Sequence, residues 1–359
     1  MQVLIVSSFP PRRCGIGAYA RDQADRLRER GDRVGVLSPP DGDGDLRAVF
    51  VGGGAFRRAA RVGGRFDRIV VHFQPALYYP PRRSVAKVVT SASLLWLVLR
   101  RRRTVELLIH ESDPPILRRP DYALLWLAFR LARVLMFHTD AERGSFERAY
   151  RMRPGRRARV VAHLVRPSFA AGTVTRARAR ERLGLTGAGS GGDGGSRRGP
   201  MLVCVGFLQP SKGFDRALEA FARVFASGDD GRGEGSASGA SLYLVGSVRE
   251  GTVENRSYVR ALRARSQEVA GAHLVERFLP EEEFDLWVVA GDRLVLPYRT
   301  SWSSGVLARA HELGTPAIVC DVGGLAEQAA PADVVVEGDE GLVEAFEALG
   351  AAARGGAAR

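Results

Sequence analysis

Three glycine-bearing stretches of this 359-residue chain carry residue types that hold anions. The first is FPPRRCGIGAY, where a strand ending near Ser8 leads through Gly15 and Gly17 to a helix expected to open near Ala18. A strand, a permissive turn and a helix start together offer unpaired N–H groups and a partial positive charge. The spacing is not G-x-G-x-x-G, so a purely structural turn stands beside the ligand loop as a reading. The second stretch, VCVGFLQPSKGFDRALEAF, runs from a strand through Gly206 and Phe207 to Lys212 and Gly213, and then into a helix. Open α/β sheets bind ligands at the C-terminal ends of their strands, and a lysine there is a compact charge suited to phosphate oxygens. Only two of the 53 basic residues are lysines, Lys87 and Lys212, so arginine would be the default at a merely solvated position. An exposed loop lysine is the plainer alternative. The third stretch, LPYRTSWSSGVLARAHELGTPAIVCDVGGLAE, ends a strand at Pro297 and starts a helix whose first turn carries Ser303, Ser304, Gly305 and Val306. Serine is also a favoured N-cap with no ligand present. Among the six histidines, His72, His110 and His138 each close an apolar run, as cleft residues or as packed ones.

These stretches need elements that bring strand ends together, and the alternation of the chain supplies them. Short β-rich runs begin at Val3, Arg33, Arg68, Val105 and Val134 and alternate with helical stretches such as Ala18 to Arg30 and the segment from Asp140. A second series starts at Met201 and continues through runs at Leu242, Ala272, Arg293 and Ala317, with helices over Phe214 to Phe225 and near Ser304 to Leu313. This βαβα rhythm predicts two mostly parallel sheets, hence two α/β domains. Single cores seldom grow beyond roughly 250 to 300 residues, in agreement with two. TGAGSGGDGGSRRGP, Thr186 to Pro200, has nothing to bury and reads as a linker, giving domains over 1–185 and 201–359 with 186–200 between. A similar stretch, Ala226 to Ala240, reads as a loop insertion.

Cys14, Cys204 and Cys320 share no C-x-x-C spacing, which excludes a disulfide framework and a cysteine zinc site, and no acidic pair in a suitable loop suggests another metal. The opening MQVLIVSSFPP lacks the basic lead and cleavage site of a signal peptide, so a cytoplasmic location is expected. The most apolar stretches, Val85 to Leu99 and Tyr122 to Phe137, carry Lys87, Arg130 and Arg133 and read as buried or half-buried helices rather than membrane spans. Residues 1–190 hold 36 Lys and Arg against 16 Asp and Glu, a net +20, whereas the remainder is −7. So basic a half attracts an anionic membrane face or polyanion, or is simply an arginine-rich solvated surface. No zinc spacing or RNP-like aromatic pattern accompanies the charge, so nucleic acid is not the expected partner.

Taken jointly, the three stretches resemble the GT-B glycosyltransferases of family 4 (glycosyltransferase group 1), over nearly the whole chain from Val3 to about Glu327. GFLQPSKGFDRALEAF resembles the family's G-x-x-x-x-x-K-G segment, and SSGVLARAHELGTPAIVCDVGGLAE the helix and strand after its nucleotide-sugar loop. The resemblance implies two Rossmann-like domains facing across a cleft and no permanently bound cofactor. It implies a UDP- or GDP-sugar donor held by the C-terminal domain, and a glycan, lipid or small-molecule acceptor held by the N-terminal one. Transfer would usually proceed with retention, in glycan, cell-envelope or glycoconjugate synthesis, in the cytoplasm or at the inner membrane face. Lys212 would neutralise the departing diphosphate, and the N–H groups around Ser303, Ser304, Gly305 and Val306 would receive the same phosphates. Gly15, Gly17 and Gly206 would line the donor, and His110 falls where the family commonly has a histidine near the transferred sugar.

The chain departs from the family where many members carry two glutamates eight positions apart, here Ser301 and Arg309, and where an arginine often follows the glycine, here Phe207. These three become variant donor-site positions, as in a subgroup with the same SGV helix start and GF turn. A sugar-nucleotide epimerase of the same fold and a degenerate GT-B partner subunit are the competing readings. An isomerised donor formed without acceptor would identify the first, and loss of nucleotide binding the second.

Overall fold

A computed structural model describes residues 1–80, 84–111, 119–153, 155–185, 199–226, 239–248 and 251–355. The chain forms two compact units, Met1–Leu164 and Val165–Arg359.

The N-terminal unit alternates strand and helix: β1 Gln2–Val6, α1 Gly15–Glu29, β2 Arg33–Ser38, β3 Leu46–Arg47, α2 Gly54–Val62, β4 Arg68–Phe73, α3 Pro75–Tyr78, α4 Ser84–Arg101, β5 Val105–Ile109, α5 Tyr122–Leu131, β6 Val134–Phe137, α6 Asp140–Ala149 and β7 Ala158–Val160. Its seven strands pair in parallel in the order β3-β2-β1-β4-β5-β6-β7. The near-continuous apolar runs QVLIV, RIVVHF and VELLI suit a sheet buried on both faces. One face packs on α2, α4 and α5 through Phe56, Leu97 and Phe129, and the other on α1 through Ala20 and Ala24.

The C-terminal unit opens with α7 Arg176–Arg182 and continues with β8 Met201–Phe207, α8 Phe214–Phe221, β9 Ser241–Ser247, α9 Val253–Glu268, β10 Ala272–Glu276, α10 Glu281–Ala290, β11 Arg293–Leu296, α11 Gly305–Glu312, β12 Ala317–Cys320, α12 Leu325–Gln328, β13 Val334–Val336 and α13 Gly338–Gly355. The parallel sheet runs β10-β9-β8-β11-β12-β13. In both units the first strand sits inside the sheet, with chain order reversing beside it, as in doubly wound folds.

Two expectations change. The boundary between the units falls at Leu164–Val165, earlier than the 186–200 stretch. Ala179 of α7 is fully buried in the second unit's core, and Arg180 donates to the Ala290 carbonyl at 2.8 Å and to Asp292 at 2.9 Å. Helix α1 begins at Gly15 rather than near Ala18, so Gly15 and Gly17 lie in its first turn and Cys14 is its N-cap. Residues 186–198 and 227–238, read as linker and insertion, lie outside the described residues.

Candidate active site

In the C-terminal unit, β8 delivers the chain to a 3₁₀ turn, Pro210–Lys212, whose Lys212 N–H donates to the Gln209 carbonyl at 3.0 Å. Gly213 then turns with φ 63°, and a Cβ there would stand 2.1 Å from the Pro297 carbonyl oxygen. Only glycine lets the turn seat against the end of β11. Arg216 donates to the Pro297 and Tyr298 carbonyls at 3.0 Å each, tying α8 to the same loop. Arg299 grips Asp215 through two bonds of 2.8 and 2.6 Å, and the Tyr258 hydroxyl adds a third at 2.8 Å. Burial pushes the Asp215 carboxyl up, but these donors outweigh it and hold it below the usual carboxylate range.

Tyr298, only 1% exposed, joins the second and third of the glycine-bearing stretches. The Lys212 Nζ lies 3.7 Å from its ring centroid, and its hydroxyl lies 3.5 Å from the Ser304 Oγ. Ser304 caps α11 by accepting from the Leu307 N–H at 3.2 Å, while its own N–H goes to Gln328 at 2.8 Å. Gln328 returns a bond to the Ser304 carbonyl at 2.7 Å. The first helical hydrogen bond is Ala308 N–H to Ser304. Gly305 and Val306, partly exposed at the helix start, therefore present N–H groups that no helical carbonyl accepts. Ser304 thus belongs to the frame, and the donors aimed outward are those of Gly305 and Val306. Gly323 makes the matching close approach from β12, where a Cβ would lie 1.8 Å from the Ser301 carbonyl oxygen.

The three variant positions have different settings. Ser301 donates to the Ser303 carbonyl at 2.8 Å, which shapes the loop before α11. Phe207, half-buried, ends β8 next to Gly206, paired in register with Ser247. Arg309 is an internal tie: its guanidinium forks onto Asp285 at 2.7 and 2.6 Å and also donates to the Arg166 carbonyl, while Ser168 donates to the same carboxylate at 2.5 Å. Asp285 is 1% exposed, so this fork neutralises a buried charge.

In the N-terminal unit, four histidines converge on one ring. Tyr19 of α1 makes edge contacts with His72, His110, His138 and His163 at centroid separations of 5.5, 5.3, 5.2 and 4.9 Å. His72 lies in β4, and the other three follow β5, β6 and β7, so adjacent parallel strands bring their C-terminal ends to the first helix. The tautomers follow from the partners. His72 Nε2 donates to Gln23 Oε1 at 3.0 Å, so its Nδ1 accepts from His110 Nε2 at 3.3 Å. His138 and His163 use Nδ1 to donate to the Val161 and Leu164 carbonyls at 3.2 and 3.1 Å. Burial and the neighbouring rings keep all four neutral, with His72 and His163 lowered to about 3 and His110 and His138 also depressed.

The buried His138 Nε2, Gln74 Oε1 and Glu142 Oε1 have no hydrogen-bond partner, nor do the Ser7 and Ser8 hydroxyls. All sit at strand ends or at the start of α6. There Thr139 caps the helix by accepting from the Glu142 N–H, and Glu142 accepts from His138 N–H at 3.2 Å. Burial lifts the Glu142 carboxyl to about 8. The strand ends are thus lined by buried polar groups that are uncharged near neutral pH. The sequence singles out His110 and leaves His72 and His138 as cleft residues or packed ones; only the strand order reveals the convergence of the four histidines. Among the described residues no cluster of histidine, cysteine and acidic side chains has the geometry to hold a metal ion.

Residues 199–352 match the family described as Glycosyl transferases group 1. The C-terminal unit thus carries a glycosyltransferase domain. Among solved structures it is similar to HepE of Anabaena in complex with UDP, at 15% identity, TM-score 0.69, covering 99% of this chain and 94% of that one. Sucrose-phosphate synthase of Thermosynechococcus elongatus is similar at 16% identity, TM-score 0.67, covering 99% and 93%. A UDP-forming trehalose-phosphate synthase of Burkholderia xenovorans follows at 14% identity, TM-score 0.67, covering 99% and 94%. These likenesses establish the GT-B fold of two Rossmann-like units for this chain. No curated protein matches the chain in sequence.

Proposed function

We propose that this glycosyltransferase moves a sugar from a nucleoside-diphosphate sugar onto an acceptor hydroxyl with retention, as a variant of the GT4 group. The observation that carries the proposal is the grouping around Tyr298 of an ammonium and the open end of α11. As the anomeric C–O bond breaks, an oxocarbenium-like centre and a diphosphate develop together; the acceptor oxygen then bonds to the anomeric carbon, and its proton passes to the departing diphosphate. Lys212 and the Gly305 and Val306 N–H groups stabilise the charge gathering on the leaving oxygens. HepE in complex with UDP-glucose supports a uridine donor over a guanosine one. The acceptor belongs to the N-terminal unit, at the strand-end rim that includes His110, with Gly15 and Gly17 in the neighbouring first turn of α1. A basic N-terminal half fits work at an anionic membrane face, in glycan or envelope synthesis.

A thermal-shift panel of UDP-, GDP- and ADP-sugars tests the donor. A ligand at a hundred times its dissociation constant stabilises the fold by about 2.7 kcal/mol. A response to UDP-sugars alone is expected; no response to any nucleotide would refute the reading.

A further inference from the structure

Helix α4 turns an apolar stripe outward. Val85, Val89, Trp96 and Leu99 are 78%, 42%, 39% and 53% exposed. With exposed Ala92 they recur at spacings of four, three, four and three residues, which is one face of a helix. Leu94, Leu97 and Val98 fill the opposite, buried face. Scattered exposed aliphatics need no explanation, but a stripe running along an 18-residue helix does.

The setting of the stripe is cationic and free of acids. The Arg100 guanidinium lies 5.9 Å from the Trp96 ring centroid, and exposed Arg102 and Arg103 follow the helix. On the adjoining α5, Arg130 lies 5.4 Å from the ring centroid of half-buried Trp126. No aspartate or glutamate occurs from Arg68 to Val105, nor from Tyr122 to Thr139. Aliphatic side chains, tryptophans at the border and guanidinium groups beside them match the three depths of a bilayer surface: acyl chain, interface and phosphate. At 1.5 Å per residue α4 extends about 27 Å, enough to lie along such a surface. Among the described residues no helix is long and apolar enough to cross one.

We infer that the outer face of α4, with Trp126 and Arg130 beside it, is the surface by which the protein docks on an anionic bilayer. This deepens the membrane placement proposed above and does not depend on sugar transfer. The test is co-sedimentation of the full chain, without nucleotide, with vesicles of phosphatidylglycerol and phosphatidylcholine or of phosphatidylcholine alone. Binding to the anionic vesicles is expected. The double substitution Trp96→Ser with Leu99→Ser should weaken it by about tenfold or more, because burial of the stripe is lost. Arg100→Glu with Arg103→Glu should weaken it to a similar extent, since each basic residue near the surface is worth about fivefold in affinity. Unchanged melting temperatures establish that the variants are folded. Equal binding to both vesicle types, or undiminished binding by the Trp96 and Leu99 variant, would overturn the inference. So would a concentration-dependent dimer, abolished by the same variant, in a protein that ignores vesicles. Vesicle binding by a protein that responds to no nucleotide would uphold the docking face while removing the transferase reading.

Discussion

The strand ends of the two sheets share an architecture and differ in chemistry. In the C-terminal unit they lead to a lysine, a helix start with open N–H groups and glycines that allow backbone to touch backbone. In the N-terminal unit they carry four neutral imidazoles around a buried phenol, with a buried carboxyl that burial keeps protonated near neutral pH. On the function proposed above, one edge meets charge that arrives with a ligand, and the other meets hydroxyl groups in a place that resists charge. A doubly wound unit thus takes its ligand class from the side chains at its strand ends rather than from its topology.

The largest effect should come from a residue that separates scaffold from site. Arg309→Ala strands the Asp285 carboxylate in the core, and breaking a buried pair in this way costs about 3 to 5 kcal/mol. Calorimetry should show that loss, while the surviving folded fraction keeps its nucleotide affinity. Loss of affinity without loss of stability would return Arg309 to the donor site and blur the contrast between the two edges.

Lys212→Ala should do the reverse. Removing one preorganised donor commonly costs about a hundredfold to a thousandfold in turnover. Steady-state kinetics should show that fall with an unchanged melting temperature, and near-normal turnover would break the assignment of the charged edge.

The smallest effect is a pH dependence confined to the N-terminal edge. His72 and His163, lowered to about 3 from their usual 6.5, bind protons more readily in the unfolded chain, so the stability tied to their neutral state is full above 6.5 and is lost as pH falls toward 3. Glu142, raised to about 8 from its usual 4.5, contributes stability that is full below 4.5 and is lost as pH rises through 8. Together the three place the optimum near pH 6.5. Glu142→Gln, which keeps a capping side chain, should abolish the decline between 6.5 and 8, worth about 2 kcal/mol and read from melting temperatures across that range. A decline that persists in this variant would show that the carboxyl is not the titrating group.

Much of the fold was legible because parallel strands buried on both faces announce themselves as apolar runs. Those at Val3, Arg68, Val105, Met201, Leu242 and Ala317 all emerged as strands. Helix α7 was hidden, since its sequence RARARER shows no apolar stripe and its one buried side chain is Ala179. Lys212 stood out through the rarity of lysine, and Ser304 through its place before an apolar helix. Tyr298 did not, because a tyrosine beside a proline carries no periodic signal, and its neighbours arrive from a loop 86 positions earlier in the chain. The histidine convergence was illegible for a related reason. His72, His110, His138 and His163 stand 25 to 38 positions apart, and only the pairing order of β4 to β7 brings them round one ring.

Helix α4 connects β4 to β5 and, as a crossover between parallel strands, runs back against their direction. A protein resting on that helix holds these strands roughly level with the lipid rather than upright on it. On the docking inferred above, the strand ends that carry the imidazoles face along the headgroup layer, the side from which an acceptor anchored by a greasy tail would arrive.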